Sequence, residues 1–181
     1  YNTPEVGKAM VRVFEHFGYE VAVPEQRCSG TPMFANGMLD DARRAARFNV
    51  ETFADLVDDG YDIVCSCTSC SMALRQEYPE LFDFEDTERV SAHTYDAVEY
   101  LRIHEDLDGE LAAVDDVDAP DFAYHAPCHA RNQGLDGQTT AVLGNLGDVE
   151  AADVGESCSG ISGTYGWKSE NYETSMAVGE E

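Results

Sequence analysis

"YDIVCSCTSCSMALRQEYPELF", residues 61–82, decides the fold. The run Tyr61-Asp62-Ile63-Val64-Cys65 is short, apolar and β-branched, which predicts a buried strand. Ser71 to Phe82 has the composition and spacing of a helix. Between them lies Cys65-Ser66-Cys67-x-x-Cys70, so this is a strand that ends in thiols and opens directly into a helix. At that place Cys67 and Cys70 stand ahead of a helix N-terminus, where free backbone N–H groups stabilise anionic sulfur.

Working outward, Val6, Ala9, Met10, Val13, Phe14 and Phe17 follow helical spacing from a Thr3-Pro4 start, and Gly18 stops the run. "YEVAVPE" (19–25) reads as a short strand. Cys28 follows in the loop "RCSGTPMFANG", and "LDDARRAARFNVETFADLVDDG" (39–60) reads as a second helix ended by Gly60. A further helix is expected over about 87–105. "DLDGELAAVDDVDAPD" (106–121), rich in Asp, reads as a linker and places the domain boundary. Beyond it come a strand in "DFAYHAPCH", a short helix in "QTTAVLGNLG", a strand in "DVEAADV", and then "CSGISGTYG".

The second half repeats the first with a shift. Both contain helix, strand and Cys-Ser-Gly, at Cys28-Ser29-Gly30 and Cys158-Ser159-Gly160. The expected class is therefore α/β: two similar small repeats, residues 1–110 and 121–181, with short parallel sheets and cysteine loops at the strand ends. Neither repeat is complete. The first lacks an opening strand with a counterpart of Cys128, and the second lacks a closing helix, strand and Cys-x-x-Cys. Cys128 precedes Cys158 by 30 positions and Cys70 follows Cys28 by 42. Superposition then predicts a Cys a few residues before Tyr1 and a Cys-x-x-Cys ending about 20 residues after Glu181, as in a chain cut at both ends.

Composition narrows the function. With 36 acidic and 11 basic residues the net charge is −25, spread over the whole length and mixed with apolar residues. This is the pattern of a folded, halophilic surface; it excludes nucleic acid, which needs clustered Lys and Arg, and direct adhesion to anionic lipid. No apolar run approaches the roughly 20 residues of a membrane span. The six cysteines are too unevenly spaced for a disulfide framework, and a reducing compartment fits them better.

Thiolates converging from separate loops suit an iron–sulfur cluster or a structural zinc. A single Cys-x-x-Cys is also the pattern of a redox dithiol, and a lone Cys28 would more often be a small core residue. The recurrence of Cys-Ser-Gly favours metal. His125 and His129 flank Cys128, with Pro127 fixing the turn, and could donate hydrogen bonds to sulfur. Gly160, Gly163 and Gly166 would allow backbone amides to approach a cluster closely. Arg131 or Lys168 could offset its charge. The glycines lack nucleotide-loop spacing. His16, His93 and His104 read as packing residues, and Cys65, at a strand end, as core.

"CSGTPMFANGMLDDARRAARFNVE", "TSCSMALRQEYPELF", "YHAPCHAR" and "CSGISGTYGWKSENYETSMAVG" together resemble the cysteine-rich repeat region of the C subunit of anaerobic glycerol-3-phosphate dehydrogenase. That region belongs to the Cys-Cys-Gly group, with the B subunit of heterodisulfide reductase and the iron–sulfur subunits of glycolate and lactate oxidation. The resemblance implies an electron-transfer subunit, itself without substrate chemistry, between a flavin-containing dehydrogenase and membrane quinone. It would be cytoplasmic, peripheral at the inner face of the cell membrane, in a halophilic archaeon or similar host. By position the implied ligands are Cys28, Cys67, Cys70, Cys128 and Cys158. Ser29 and Ser159 replace the motif's second cysteine, leaving four thiolates per complete repeat, which suits a [4Fe-4S] cluster in the full-length protein and none in this stretch alone. The alternatives are a lactate or glycolate oxidase subunit and a non-redox zinc-binding scaffold.

Overall fold

The computed structural model describes residues 3–114, 120–147, 149–155 and 157–180. Its first half is built on a two-stranded parallel sheet, β1 (Ile63–Cys65) and β2 (Thr94–Asp96), with Val64 opposite Tyr95. Helices cover both faces, because neighbouring side chains of a strand point to opposite sides. Ile63 packs into a core formed by Ala42, Val50, Phe53, Leu74, Tyr78, Phe82 and Val90. Val64 packs into another, around Phe14, Tyr100, Leu101 and Leu107.

The first core is supplied by α3 (Leu39–Asp58) together with α5 (Tyr78–Leu81) and α6 (Thr87–Ala92). On α3 the buried residues Ala42, Ala45, Ala46, Asn49, Val50, Phe53, Ala54 and Val57 form one stripe at helical spacing. Burying a Val or Phe side chain contributes roughly 1.5–3 kcal/mol, so Val50 and Phe53 anchor this face. α4 (Thr68–Met72) runs through π-helical turns at Ala73–Glu77 into α5. The second core lies between α1 (Pro4–His16), α7 (Ala97–His104) and α8 (Leu107–Ala112). Arg75 and Glu99 form an ion pair at 2.7 Å across the end of the sheet. Glu99 also closes a capping box with Asp96 at the start of α7.

The second half is smaller. β3 (Phe122–Tyr124) pairs in parallel with β4 (Ala151–Asp153), with α9 (Cys128–Asn132) and α10 (Asp136–Leu143) between them in sequence. Two short 3-10 turns, Tyr165–Trp167 and Ser169–Asn171, lead into α11 (Tyr172–Gly179).

Three expectations change. The region 87–105 is not one helix: it breaks at β2, where Thr94 and Tyr95 favour extended backbone and the Asp96 cap starts α7 afresh. The Asp-rich stretch begins as α8, held by buried Leu107, and residues 115–119 lie outside those described. Tyr19–Glu25, expected as a short strand, runs without helix, turn or bend, and among the described residues it pairs with no strand. Val23 is 74% exposed there.

Candidate functional site

The fold gathers three cysteines at the C-terminal end of β1. Cys28, Cys67 and Cys70 line the same end of one groove, with Ser29 and Cys65. Cys67 is the N-cap of α4, its carbonyl accepting the N–H groups of Cys70 at 2.9 Å and Ser71 at 3.1 Å. Its thiol is pulled down to about 5 by a hydrogen bond from the Cys70 thiol, reinforced by the Cys70 and Ser69 amides and the Ser69 hydroxyl. Cys70 moves the other way, because its proton is held by Cys67 and burial disfavours its charge. The Cys67–Cys70 pair therefore shares one proton, with negative charge favoured at Cys67. The Ser29 hydroxyl donates to the Cys70 sulfur at 3.4 Å. Cys65 pairs opposite Asp96 and stays protonated: burial, with Asp96 beside it, pushes its thiol up to about 12.

The Cys28 loop is held by a residue that the sequence pattern alone did not single out. Asn49, 1% exposed, accepts from the Arg27 N–H at 2.7 Å and donates to the carbonyls of Arg27 at 3.1 Å and Cys28 at 3.5 Å. Its amide also donates to the Tyr78 hydroxyl at 3.3 Å. The signal was present: an Asn on the apolar stripe of α3, where a polar side chain persists only if its hydrogen bonds are made. Gly30 continues this loop at φ +100°, and a Cβ there would stand 3.2 Å from the Phe34 ring. No other residue fits that position without moving the ring.

Cys128 and Cys158 stand at the ends of the second sheet. Cys128 opens α9 behind Pro127. The Cys158 sulfur accepts the Gly160 N–H at 3.4 Å. His125 Nε2–H donates to the Ser157 carbonyl at 2.7 Å, joining the two cysteine loops. His129 Nδ1 instead shares a 2.7 Å hydrogen bond with the Ser69 hydroxyl, and so reaches the first half. Gln133 binds the Thr68 carbonyl at 2.9 Å and accepts from Ser71 at 3.2 Å, which zips α9 onto α4. Asn36 donates to the Thr164 hydroxyl at 2.7 Å, a second link between the halves. Gly160 and Gly163 serve close packing: a Cβ on Gly160 would collide with the Ser175 carbonyl in α11, and one on Gly163 would meet Ala35 at 3.0 Å.

The five cysteines other than Cys65 thus fall into a group of three and a group of two, one at the C-terminal end of each parallel sheet. Among the described residues no group of three or more His, Cys, Asp or Glu is placed tightly enough to hold a metal ion. The donor chemistry of the first group nevertheless fits an iron–sulfur cluster: soft sulfurs, with amide and hydroxyl donors directed at them that favour the anionic form. Three thiols supply part of a four-thiolate set.

An α/β protein with thiol loops at the C-terminal ends of two parallel sheets is the class that fold and site define. The chain belongs to the cysteine-rich (CCG) domain family, whose model matches residues 1–75 and 122–181, one stretch in each half. It is 34% identical over 181 residues to the C subunit of anaerobic glycerol-3-phosphate dehydrogenase from Escherichia coli K12, covering 99% of this chain and 45% of that protein. It is 32% identical to lactate utilization protein A of an Exiguobacterium species, covering 96% of this chain and 71% of that protein. Similarity at 30% identity extends to the B subunit of the fumarate reductase (CoM/CoB) of Methanothermobacter marburgensis, over 33% of that protein. The chain therefore spans under half the length of the glycerol-3-phosphate dehydrogenase subunits that it matches. No solved structure matches it.

Proposed function

We propose that this chain is the cysteine-rich part of an iron–sulfur electron-transfer subunit in a glycerol-3-phosphate:quinone oxidoreductase. The reading is carried by the placement of Cys28, Cys67 and Cys70 on one groove at the end of β1, with negative charge favoured at Cys67 by its hydrogen bonds. Cys28, Cys67 and Cys70 would hold the cluster from the first repeat (1–110), and Cys128 and Cys158 another from the second (121–181), with further ligands from the rest of the polypeptide. When bound, a [4Fe-4S] cluster supplies one-electron transfer, while hydride chemistry stays with a flavin in a partner subunit. The chain's own contribution is electrostatic and positional. The Ser69 and Cys70 amides and the Ser29 hydroxyl lower the cost of concentrating negative sulfur, and Asn49 fixes the Cys28 loop against α3.

His125 and His129 hold the second cysteine loops to each other and to α4, which favours a fixed separation between the two thiol groups. Gly160 and Gly163 let that loop pack against α11 and α2 (Thr31–Ala35). Among the described residues no helix is long and apolar enough to cross a membrane; in this reading contact with quinone runs through partner subunits at the inner face. A lactate-oxidising complex is the second reading, favoured by the 71% coverage of lactate utilization protein A.

The test is anaerobic purification of the full-length polypeptide, with iron, sulfide and zinc analysis and electron paramagnetic resonance. Iron with equimolar sulfide and a reducible signal is expected; zinc alone would leave a scaffold. The flavoprotein that copurifies, oxidising glycerol-3-phosphate or lactate, separates the two redox readings.

A further inference from the structure

The groove ending at Cys28, Cys67 and Cys70 is an elongated space of about 800 Å³ between two lengths of extended chain. One wall is Tyr19–Pro24 and the other is β1, and the space is covered by Met10 and Phe14 of one core and by Phe53 and Leu56 of the other. Both walls present backbone. On β1, the Ile63 N–H bonds to His93 across the β1–β2 ladder. Successive residues of a parallel strand direct their amides to opposite edges, so Val64 directs its N–H and C=O into the groove. Among the described residues neither Val64 nor Val21, Ala22 and Val23 has a backbone partner there.

The second half shows what such a wall pairs with. β4 occupies Ala151–Asp153, seven to five residues before Cys158, and Val21–Val23 lies seven to five residues before Cys28. β4 is paired in parallel with β3, which comes before α9 and α10 in the chain. The first half has the counterpart of β4 and of the intervening helix, α1, with an empty channel where the counterpart of β3 would lie.

We propose that this groove is a strand-acceptor site, filled by a strand of the same polypeptide that precedes α1. It runs parallel to β1 and pairs on one side with Val64 and on the other with Val21–Val23. The Escherichia coli relative is more than twice as long as the stretch it shares with this chain, so residues for such a strand are available in a protein of that build. A small apolar ligand would fill the space but leave both backbone edges unpaired, whereas a strand satisfies them. The resulting sheet has the order Val21–Val23, incoming strand, β1, β2. The order reverses between the incoming strand and β1, and ligands in open α/β sheets sit outside the strand ends at such a reversal. That is where Cys28, Cys67 and Cys70 stand. The strand's placement does not depend on whether these thiols hold iron.

Amide hydrogen exchange on the full-length polypeptide, metal-free and iron-loaded, tests this. Val64 and Tyr19–Pro24 are expected to exchange at least about 100-fold slower than a free peptide in both forms, as paired core strands do. Exchange at free-peptide rates while Cys65 stays protected would overturn the proposal. So would protection that arises only when decylubiquinone is added, since the occupant would then be a small molecule. Val64→Pro gives an independent reading. Proline is tolerated at a sheet edge but removes a ladder bond from a central strand. A loss of at least about 10-fold in protection at Tyr19–Pro24 is expected, with the β1–β2 ladder kept; unchanged protection would contradict it. If this variant does not fold, the wild-type exchange decides. Iron content, read separately, decides the cluster reading.

Discussion

The buried carboxamide of Asn49 accepts the Arg27 N–H at 2.7 Å and returns a hydrogen bond to the Arg27 carbonyl at 3.1 Å. One side chain of α3 thereby stands in for a strand partner of the segment that leads into Cys28. Asn49→Ala leaves those backbone groups unpaired and should cost about 1–3 kcal/mol. Urea denaturation measures this. In the full-length protein the same variant should lose iron faster to a chelator, because the Cys28 loop is no longer fixed.

Gly30 tests the turn itself. At φ +100° an alanine meets both the left-handed penalty and the Phe34 ring at 3.2 Å. Gly30→Ala should destabilise by about 1–2 kcal/mol, whereas Gly7→Ala, in open space within α1, should stabilise slightly. Paired denaturation curves compare them.

Tyr100 makes the first half sensitive to alkali. Burial, and then its O–H donated to Asp62 at 3.1 Å, raises its phenol from 10.0 to about 12. A raised acid favours the folded state while protonated, so this contribution is complete below pH 10.0 and is lost as pH climbs toward about 12. Phenolate absorbance should show a late-titrating tyrosine coincident with alkaline unfolding. Tyr100→Phe should remove that group from the titration.

The net charge of −25 should make salt a stabiliser. Exposed carboxylates repel over a screening length of about 10 Å at 0.1 M salt and about 3 Å at 1 M. The melting temperature should rise over that range of KCl. A flat or falling melting temperature would show that self-repulsion does not limit this fold.

Much of this was legible wherever one residue's role followed from its neighbours in sequence. α3 declared itself through the stripe Ala42, Ala46, Val50, Phe53 and Val57, and β1 through its apolar run. β2 escaped because three residues between helical patterns carry no period of their own, although Asp96 and Glu99 already spelled a capping box. The site divided likewise. The cysteines were visible by recurrence, but His129 bonding to Ser69, 60 positions away, belongs to the packing of α9 on α4. The role of Asn49 could not be read within the helical pattern of 39–60, because its partner, the Arg27 backbone, lies 22 positions away in the chain.

The most direct test of the account compares iron and sulfide in the anaerobically reconstituted full-length protein with two single variants, Cys65→Ala and Cys70→Ala. Cys65, held protonated in β1, should be dispensable, so its variant keeps the wild-type iron and sulfide. Cys70, which shares its proton with Cys67 at the groove mouth, should be required, so its variant loses the share that belongs to the first repeat. Equal loss from both variants, or a wild-type protein carrying no iron and sulfide, would contradict the assignment of these thiols to a cluster.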